Sequence, residues 1–165
     1  MSPVIVVVGV MGAGKSTVGG LVADALGVPF RDTDDDIVAT AGKPISDIFV
    51  DDGEDHFRAL ERAAAAAALR EFDGVLALGG GAIMAAGTRA LLTEHRVVYL
   101  EVGLAEAVRR VGLGAGRPLL AINPRATLKH LLDLRRPLYE EVAAIVVNTD
   151  GRTPEEIAAE VLKKL

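Results

Sequence analysis

The sequence has no cysteine and no tryptophan, and its 165 residues include only two tyrosines and four phenylalanines. Without cysteine there is no disulfide framework and no thiolate metal site, a composition compatible with a reducing compartment. With so few aromatics, valine, leucine, isoleucine and alanine must fill the interior. At 50% hydrophobic residues there are enough of them for one full core. No apolar run approaches the roughly 20 residues of a membrane span. No basic leader precedes the first apolar stretch, so a signal peptide is not expected. Positive charge is not in excess either: 18 Lys+Arg against 23 Asp+Glu leave a net charge of −5. That balance argues against a general nucleic-acid footprint. The expectation is a cytoplasmic protein of one domain, with neither nucleic acid nor membrane as partner.

What is present begins with Gly9-Val10-Met11-Gly12-Ala13-Gly14-Lys15-Ser16, which fits the phosphate-binding pattern G-x-x-x-x-G-K-[ST]. At average residue usage a chain of this length matches those four positions by accident roughly once in a few hundred. The context fits as well, with Val4-Ile5-Val6-Val7-Val8 before the loop and a helical stretch after it. Gly12 and Gly14 allow the loop to turn its N–H groups inward, and the following helix aims its positive end at bound phosphate. Lys15 is placed to reach the outer phosphates, and Ser16 offers a hydroxyl to Mg²⁺.

Along the chain, short β-branched runs alternate with helical stretches, the pattern of an α/β fold with a parallel sheet. Strands are expected at residues 4–8, 28–32, 75–78, 97–101 and 145–148, apolar on both faces as in a sheet covered on both sides. Helices are expected at 15–26, 35–41, 53–71, 87–94, 104–111, 125–142 and 153–164. The last has a full start signal in Thr153, Pro154 and Glu156. The six alanines at 63–68 are read as a tightly packed helix. Residues 112–124, with Gly112, Gly114 and Gly116 before Arg117-Pro118, are read as a mobile lid.

A phosphate loop alone announces a nucleotide and leaves the acceptor open. Asp32-Thr33-Asp34 ends the second expected strand, where ligands of parallel sheets collect. In extended chain both carboxylates point the same way, one suited to Mg²⁺ through water and the other to an acceptor hydroxyl. Asp35 and Asp36 are read as ordinary acids at a helix start. Gly79-Gly80-Gly81 follows a strand, which suggests close approach of a ligand to the backbone. Arg58 and Glu61 share a helix face. Arg136 with Arg58 would suit a small carboxylate, and Tyr139 is expected to pack beside Arg136 and hold it. His56, His95 and His130 match no metal spacing and are read as surface or packing residues. The guanine-reading N-K-x-D pattern of GTP switches is missing, since the corresponding stretch is Asn148-Thr149-Asp150-Gly151.

In this order, the phosphate loop, Asp32-Thr33-Asp34, Gly53-Glu54 with Phe57-Arg58 and Glu61, Gly79-Gly80-Gly81-Ala82, Gly116-Arg117-Pro118-Leu119-Leu120 and Arg136 with Leu138-Tyr139 resemble the shikimate kinases over nearly the whole chain. The resemblance implies a three-layer phosphate-loop fold, with a five-stranded parallel sheet flanked by helices and a mobile lid. It implies a single kinase domain over 1–165, a substrate-binding region at about 32–93, and a monomer. It also implies phosphorylation of the shikimate 3-hydroxyl by MgATP, with Asp34, Lys15 and Arg117 as catalytic residues. ATP would lie on Gly12, Ala13, Gly14, Lys15, Ser16, Thr17 and Arg117, with Arg110, Arg152 and Pro154 flanking adenine. Shikimate would be held by Asp34, Arg58, Glu61, Gly79, Gly80, Gly81 and Arg136. Mg²⁺ would bind Ser16 directly and Asp32 through water.

Overall fold

The computed structural model of the protein describes residues 3–111 and 124–165. Five parallel strands form one sheet: β1 (Ile5–Val8), β2 (Phe30–Asp32), β3 (Val75–Ala77), β4 (Val97–Glu101) and β5 (Ile145–Asn148), in the spatial order β2-β3-β1-β4-β5. The central strand is the most apolar, and all four of its residues are buried. Val6 is in register with Leu76 of β3 on one side and Val97 of β4 on the other. The two edge strands depart from the expectation of two apolar faces. β5 alternates buried Ile145 and Val147 with exposed Val146 and Asn148, and β2 is half-buried throughout. An edge strand has a neighbour on one side only, so a fully apolar sequence there would leave bare hydrophobic surface.

The helices flank this sheet: α1 (Lys15–Leu26), α2 (Thr33–Ala41), α3 (Ile45–Asp52), α4 (Glu54–Glu71), α5 (Ala86–Leu92), α6 (Leu104–Val111), α7 (Pro124–Val142) and α8 (Pro154–Lys164). A short 3-10 turn, Ala82–Met84, follows β3. The start of α8 is as expected, with Thr153 and Glu156 forming a reciprocal capping box and Pro154 at the first position. Two differences concern the region after β2. The helix there starts at Thr33, two residues earlier than its sequence suggests, because Asp32 caps it by accepting a bond from the Asp34 N–H at 2.9 Å. The second is α3, which no expected helix covers; it begins directly after Pro44 and buries Ile48 on its inner face.

The interior has two parts. The main core lies on the sheet, and a smaller one joins Ile37 of α2, Ile48 of α3 and Phe57 of α4, with the Phe49 ring tilted against Phe57 at a centroid distance of 4.7 Å. This smaller cluster fixes α2 and α4 relative to each other, and those two helices carry Asp34, Arg58 and Glu61. The alanine run lies within α4, where Ala65 and Ala68 are wholly buried and Ala63 is exposed. A larger side chain at a packed alanine forces its neighbours apart. We expect Ala68→Leu to lose about 1–3 kcal/mol of stability by that overpacking. Ala63→Leu on the exposed face should stay within about 0.5 kcal/mol of the parent. Urea denaturation of the two variants checks the difference.

Candidate active site

The phosphate loop leaves β1 at Gly9, whose φ of 155° and close approach to the Leu100 carbonyl admit no side chain: a Cβ there would lie 2.8 Å from that oxygen. Ala13 is buried, and Gly14 caps α1 in the left-handed region. The Lys15 ammonium arches back over the loop to donate to the Val10 carbonyl at 3.1 Å. No acidic residue occupies the first turn of α1, so its positive end stays available to an anion. Ser16 and Thr17 are exposed on that first turn. The Ser16 hydroxyl donates to Asp32 Oδ2 at 2.7 Å across the cleft. A hydroxyl and a carboxylate oxygen side by side, next to a phosphate loop, form the sparse oxygen donor set that suits Mg²⁺, which fills its remaining positions with water and phosphate.

Arg110 of α6 closes the other side of the loop. Its guanidinium donates to the Gly12 carbonyl (3.1 Å), to the Thr149 hydroxyl (3.1 Å) and to the Thr149 carbonyl (2.9 Å). Arg152 stands at the same turn after β5, but it is engaged with its own surroundings, the Asn148 carbonyl at 2.9 Å and Glu160 at 2.6 Å. Pro154 opens α8 just beyond. Arg117 lies outside the described residues.

The acceptor side is organised by the turn Gly79-Gly80-Gly81. A Cβ on Gly79 would lie 2.7 Å from Asp34 Oδ1 and 3.0 Å from Glu61 Oε2, and one on Gly81 would fall within the Arg58 guanidinium. The absence of side chains therefore lets three charged groups close on the backbone. Thr33, wholly buried, accepts a bond from the Gly79 N–H at 3.2 Å. Glu61 is 3% exposed and holds Arg58 at 2.8 Å. Asp34 sits close to Asp32 and Glu61, with Lys15 opposing them; burial first, and then the Asp32 charge, push its carboxyl up to about 6. The extended geometry expected for Asp32 and Asp34 is not found. Asp32 Oδ1 is spent on the Asp34 N–H, and Asp34 turns into the helix towards Gly79.

The second arginine is Arg135. It is 3% exposed, and its Nε is buried without a hydrogen-bond partner among the described residues. It lines a cavity of about 460 Å³ together with Arg58, Glu61, Gly81, His130 and Leu131. A buried charged donor left open in this way is strongly disfavoured unless an anion completes it. Arg136 is exposed, does not line that cavity, and bears instead on the Tyr99 hydroxyl and on Asp133.

A family model described as "Shikimate kinase" matches residues 11–165. The chain belongs to the shikimate kinase family. It is 68% identical to the shikimate kinase of Salinispora arenicola over 161 residues, covering 98% of this chain and 96% of the relative. It is 62% identical to that of Streptomyces avermitilis over 163 residues, covering 99% and 95%. The fold superposes on the shikimate kinase from Acinetobacter baumannii in complex with shikimate with a TM-score of 0.93 at 37% identity, covering 99% of this chain and 92% of that one. A gluconokinase from Sinorhizobium meliloti shares the fold at a TM-score of 0.62 and 24% identity, covering 98% of this chain and 90% of that one.

The position of Arg135 was readable from α7. Its buried residues Leu128, Leu131, Leu132, Arg135 and Tyr139 fall three or four residues apart along one stripe, and residue 136 falls off it. Tyr139 packs with Arg135 and Gly80 rather than with Arg136, and its hydroxyl donates to the Gly80 carbonyl at 2.5 Å. His130, read as a surface or packing residue, is exposed but borders the cavity. We expect Arg135→Ala to raise the KM for the carboxylate-bearing acceptor by at least about 30-fold, as loss of a charged bond of about 2 kcal/mol or more implies. Arg136→Ala should leave it within about twofold. Steady-state kinetics of the two alanine variants decide between the neighbouring arginines.

Proposed function

We propose that this enzyme transfers the γ-phosphoryl group of MgATP to the 3-hydroxyl of shikimate, releasing shikimate 3-phosphate and ADP, a step of chorismate and aromatic amino-acid biosynthesis. The observation that carries this reading is one cleft with two chemistries. A phosphate loop faces a carboxylate of raised pKa, and one glycine turn away two arginines meet at a cavity, one of them buried with an open donor. Such a cleft suits an acceptor with a hydroxyl at one end and a carboxylate at the other. The relatives of the same family, one of them solved with shikimate, support the choice of acceptor.

In this mechanism Arg58 and Arg135 clamp the acceptor carboxylate, with Glu61 keeping Arg58 in place. Asp34 receives the proton of the attacking hydroxyl; a pKa near 6 leaves it ionised at neutral pH yet basic enough to accept that proton. Gly79, Gly80 and Gly81 bring backbone up to the ring. Lys15 swings from the Val10 carbonyl to the β- and γ-phosphates, where its charge stabilises the transition state. Ser16 and Asp32 would hold Mg²⁺, which supplies charge neutralisation on the phosphates. Arg117 would add a second positive charge there. Gly12, Ala13, Gly14 and Thr17 would line the phosphates, and Arg110, Arg152 and Pro154 would flank adenine. Of these last three, Arg110 is tied directly to the loop at Gly12. The same reading takes residues 1–165 as a single kinase domain, with a substrate-binding region at about 32–93 and a lid at about 112–124. It makes the protein a cytoplasmic monomer; no helix among the described residues is long and apolar enough to cross a membrane.

The decisive experiment is ADP release from MgATP with shikimate, with gluconate and with no acceptor. Strong stimulation by shikimate alone is the expected outcome, and stimulation by gluconate instead would discard the clamp assignment. The pH profile carries a second expectation. Because the Asp34 pKa is raised to about 6, its reactive anion is lost as pH falls through that value, and kcat/KM for shikimate should decline about tenfold per pH unit on the acid side. A flat profile from pH 7 to 5 at constant fold would remove Asp34 as proton acceptor.

A further inference from the structure

We propose that Tyr139 is a positioning residue for the acceptor: its hydroxyl joins the glycine turn to Arg135 and so sets where the carboxylate clamp stands relative to the phosphate loop. The proposal rests on the acceptor reading given above.

Tyr139 is 1% exposed, and its ring stacks on Tyr99 of β4 with centroids 5.0 Å apart and planes inclined by 22°. Packed in this way, the ring cannot swing, and its hydroxyl has one direction to point. It donates to the Gly80 carbonyl at 2.5 Å. The Arg135 guanidinium, one helical turn earlier on the same face of α7, lies beside the Tyr139 hydroxyl. Burial pushes the phenol well above its ordinary value, so the hydroxyl keeps the proton that it donates.

Gly80 also abuts the phosphate loop. A Cβ there would lie 3.3 Å from the Met11 nitrogen and 3.5 Å from the Gly9 carbonyl, and 3.5 Å from Arg135 Nη1. Gly80 therefore stands where the phosphate loop and Arg135 come together. It lies in a run of three glycines, the residues whose backbone rotation is least restricted, so its orientation depends on what grips it from outside. The peptide is planar, and anchoring the Gly80 carbonyl on Tyr139 also turns the Gly81 N–H away from that residue. Phenylalanine would fill the same space and stack on Tyr99 as well, so the hydroxyl has no packing reason to be there.

The test compares Tyr139→Phe with Tyr99→Phe, which removes the hydroxyl on the Arg136 side of the same stack. Each full-length variant is assayed with shikimate and MgATP varied independently, and its thermal midpoint is measured. For Tyr139→Phe we expect KM for shikimate to rise roughly tenfold, equivalent to about 1.4 kcal/mol. KM for ATP should stay within about twofold, and Tyr99→Phe should leave both constants near the parent values. An unchanged shikimate KM in Tyr139→Phe would overturn the proposal. So would loss of affinity for both substrates together, failure of the variant to fold, or an equal effect of Tyr99→Phe, since each describes a core residue. A parent enzyme that does not respond to shikimate at all refutes the acceptor reading, and this proposal with it, before any variant is made.

Discussion

No side chain fits at residues 79 and 81, and the rest of the site follows from that exclusion. Asp34 and Glu61 occupy the space that a Cβ on Gly79 would need, and Arg58 the space that one on Gly81 would need. Charged groups of both signs thus meet on a strip of bare backbone at the end of β3. Burial of such groups is unfavourable unless each has a partner. Here Glu61 answers Arg58, and the Thr33 hydroxyl answers the Gly79 N–H. Arg135 is left with an open nitrogen, and Asp34 with a raised pKa. These two incompletely answered groups mark where a ligand would complete the arrangement.

The small core of Ile37, Ile48 and Phe57 is the mechanical base of this arrangement. It joins α2, α3 and the first half of α4, while Ala65, Ala68 and Leu69 anchor the second half of α4 in the main core, so Asp34, Arg58 and Glu61 are held together over the sheet. The phosphate loop belongs to the sheet core through β1. Hydrogen bonds tie α2 and its cap to this loop and to the glycine turn: Ser16 to Asp32 at the first, and the Gly79 N–H to Thr33 at the second. The phosphate loop and the Asp34–Arg58–Glu61 group thus rest on a shared sheet core, with the small cluster fixing the second of them.

Much of this was legible in the chain. The phosphate loop, the five strands and the capping box of α8 rest on local rules of backbone and capping, and the sequence states such rules directly. The assignment of Arg58 and Glu61 to one face also held, because three-residue spacing in a helix leaves little choice. Three features were not legible, each where local pattern competes with a longer-range one. Asp34 was expected in extended chain, but Asp32 caps α2 and starts the helix earlier. The short helix α3 hides behind Pro44, which breaks the periodic signal just where the helix begins. The sequence reading names Arg136 for the carboxylate, but Arg136 is exposed and does not line the cavity. The stripe of Leu128, Leu131, Leu132 and Tyr139 places residue 135 inside. An apolar stripe that includes a charge is the informative pattern, since a cation enters a core only where something waits to bind it.

Two helices begin side by side at this cleft, and they are dressed oppositely. α1 starts with Lys15 and has no acid in its first turn, whereas α2 starts with Asp34, Asp35 and Asp36 behind the Asp32 cap. Both axes present positive ends, but the second is already saturated by its own carboxylates. An anion entering the cleft therefore finds one helix start open to it and the other already answered. The contrast of these two first turns gives the cleft a direction, with phosphate drawn to the α1 end and kept from the α2 end.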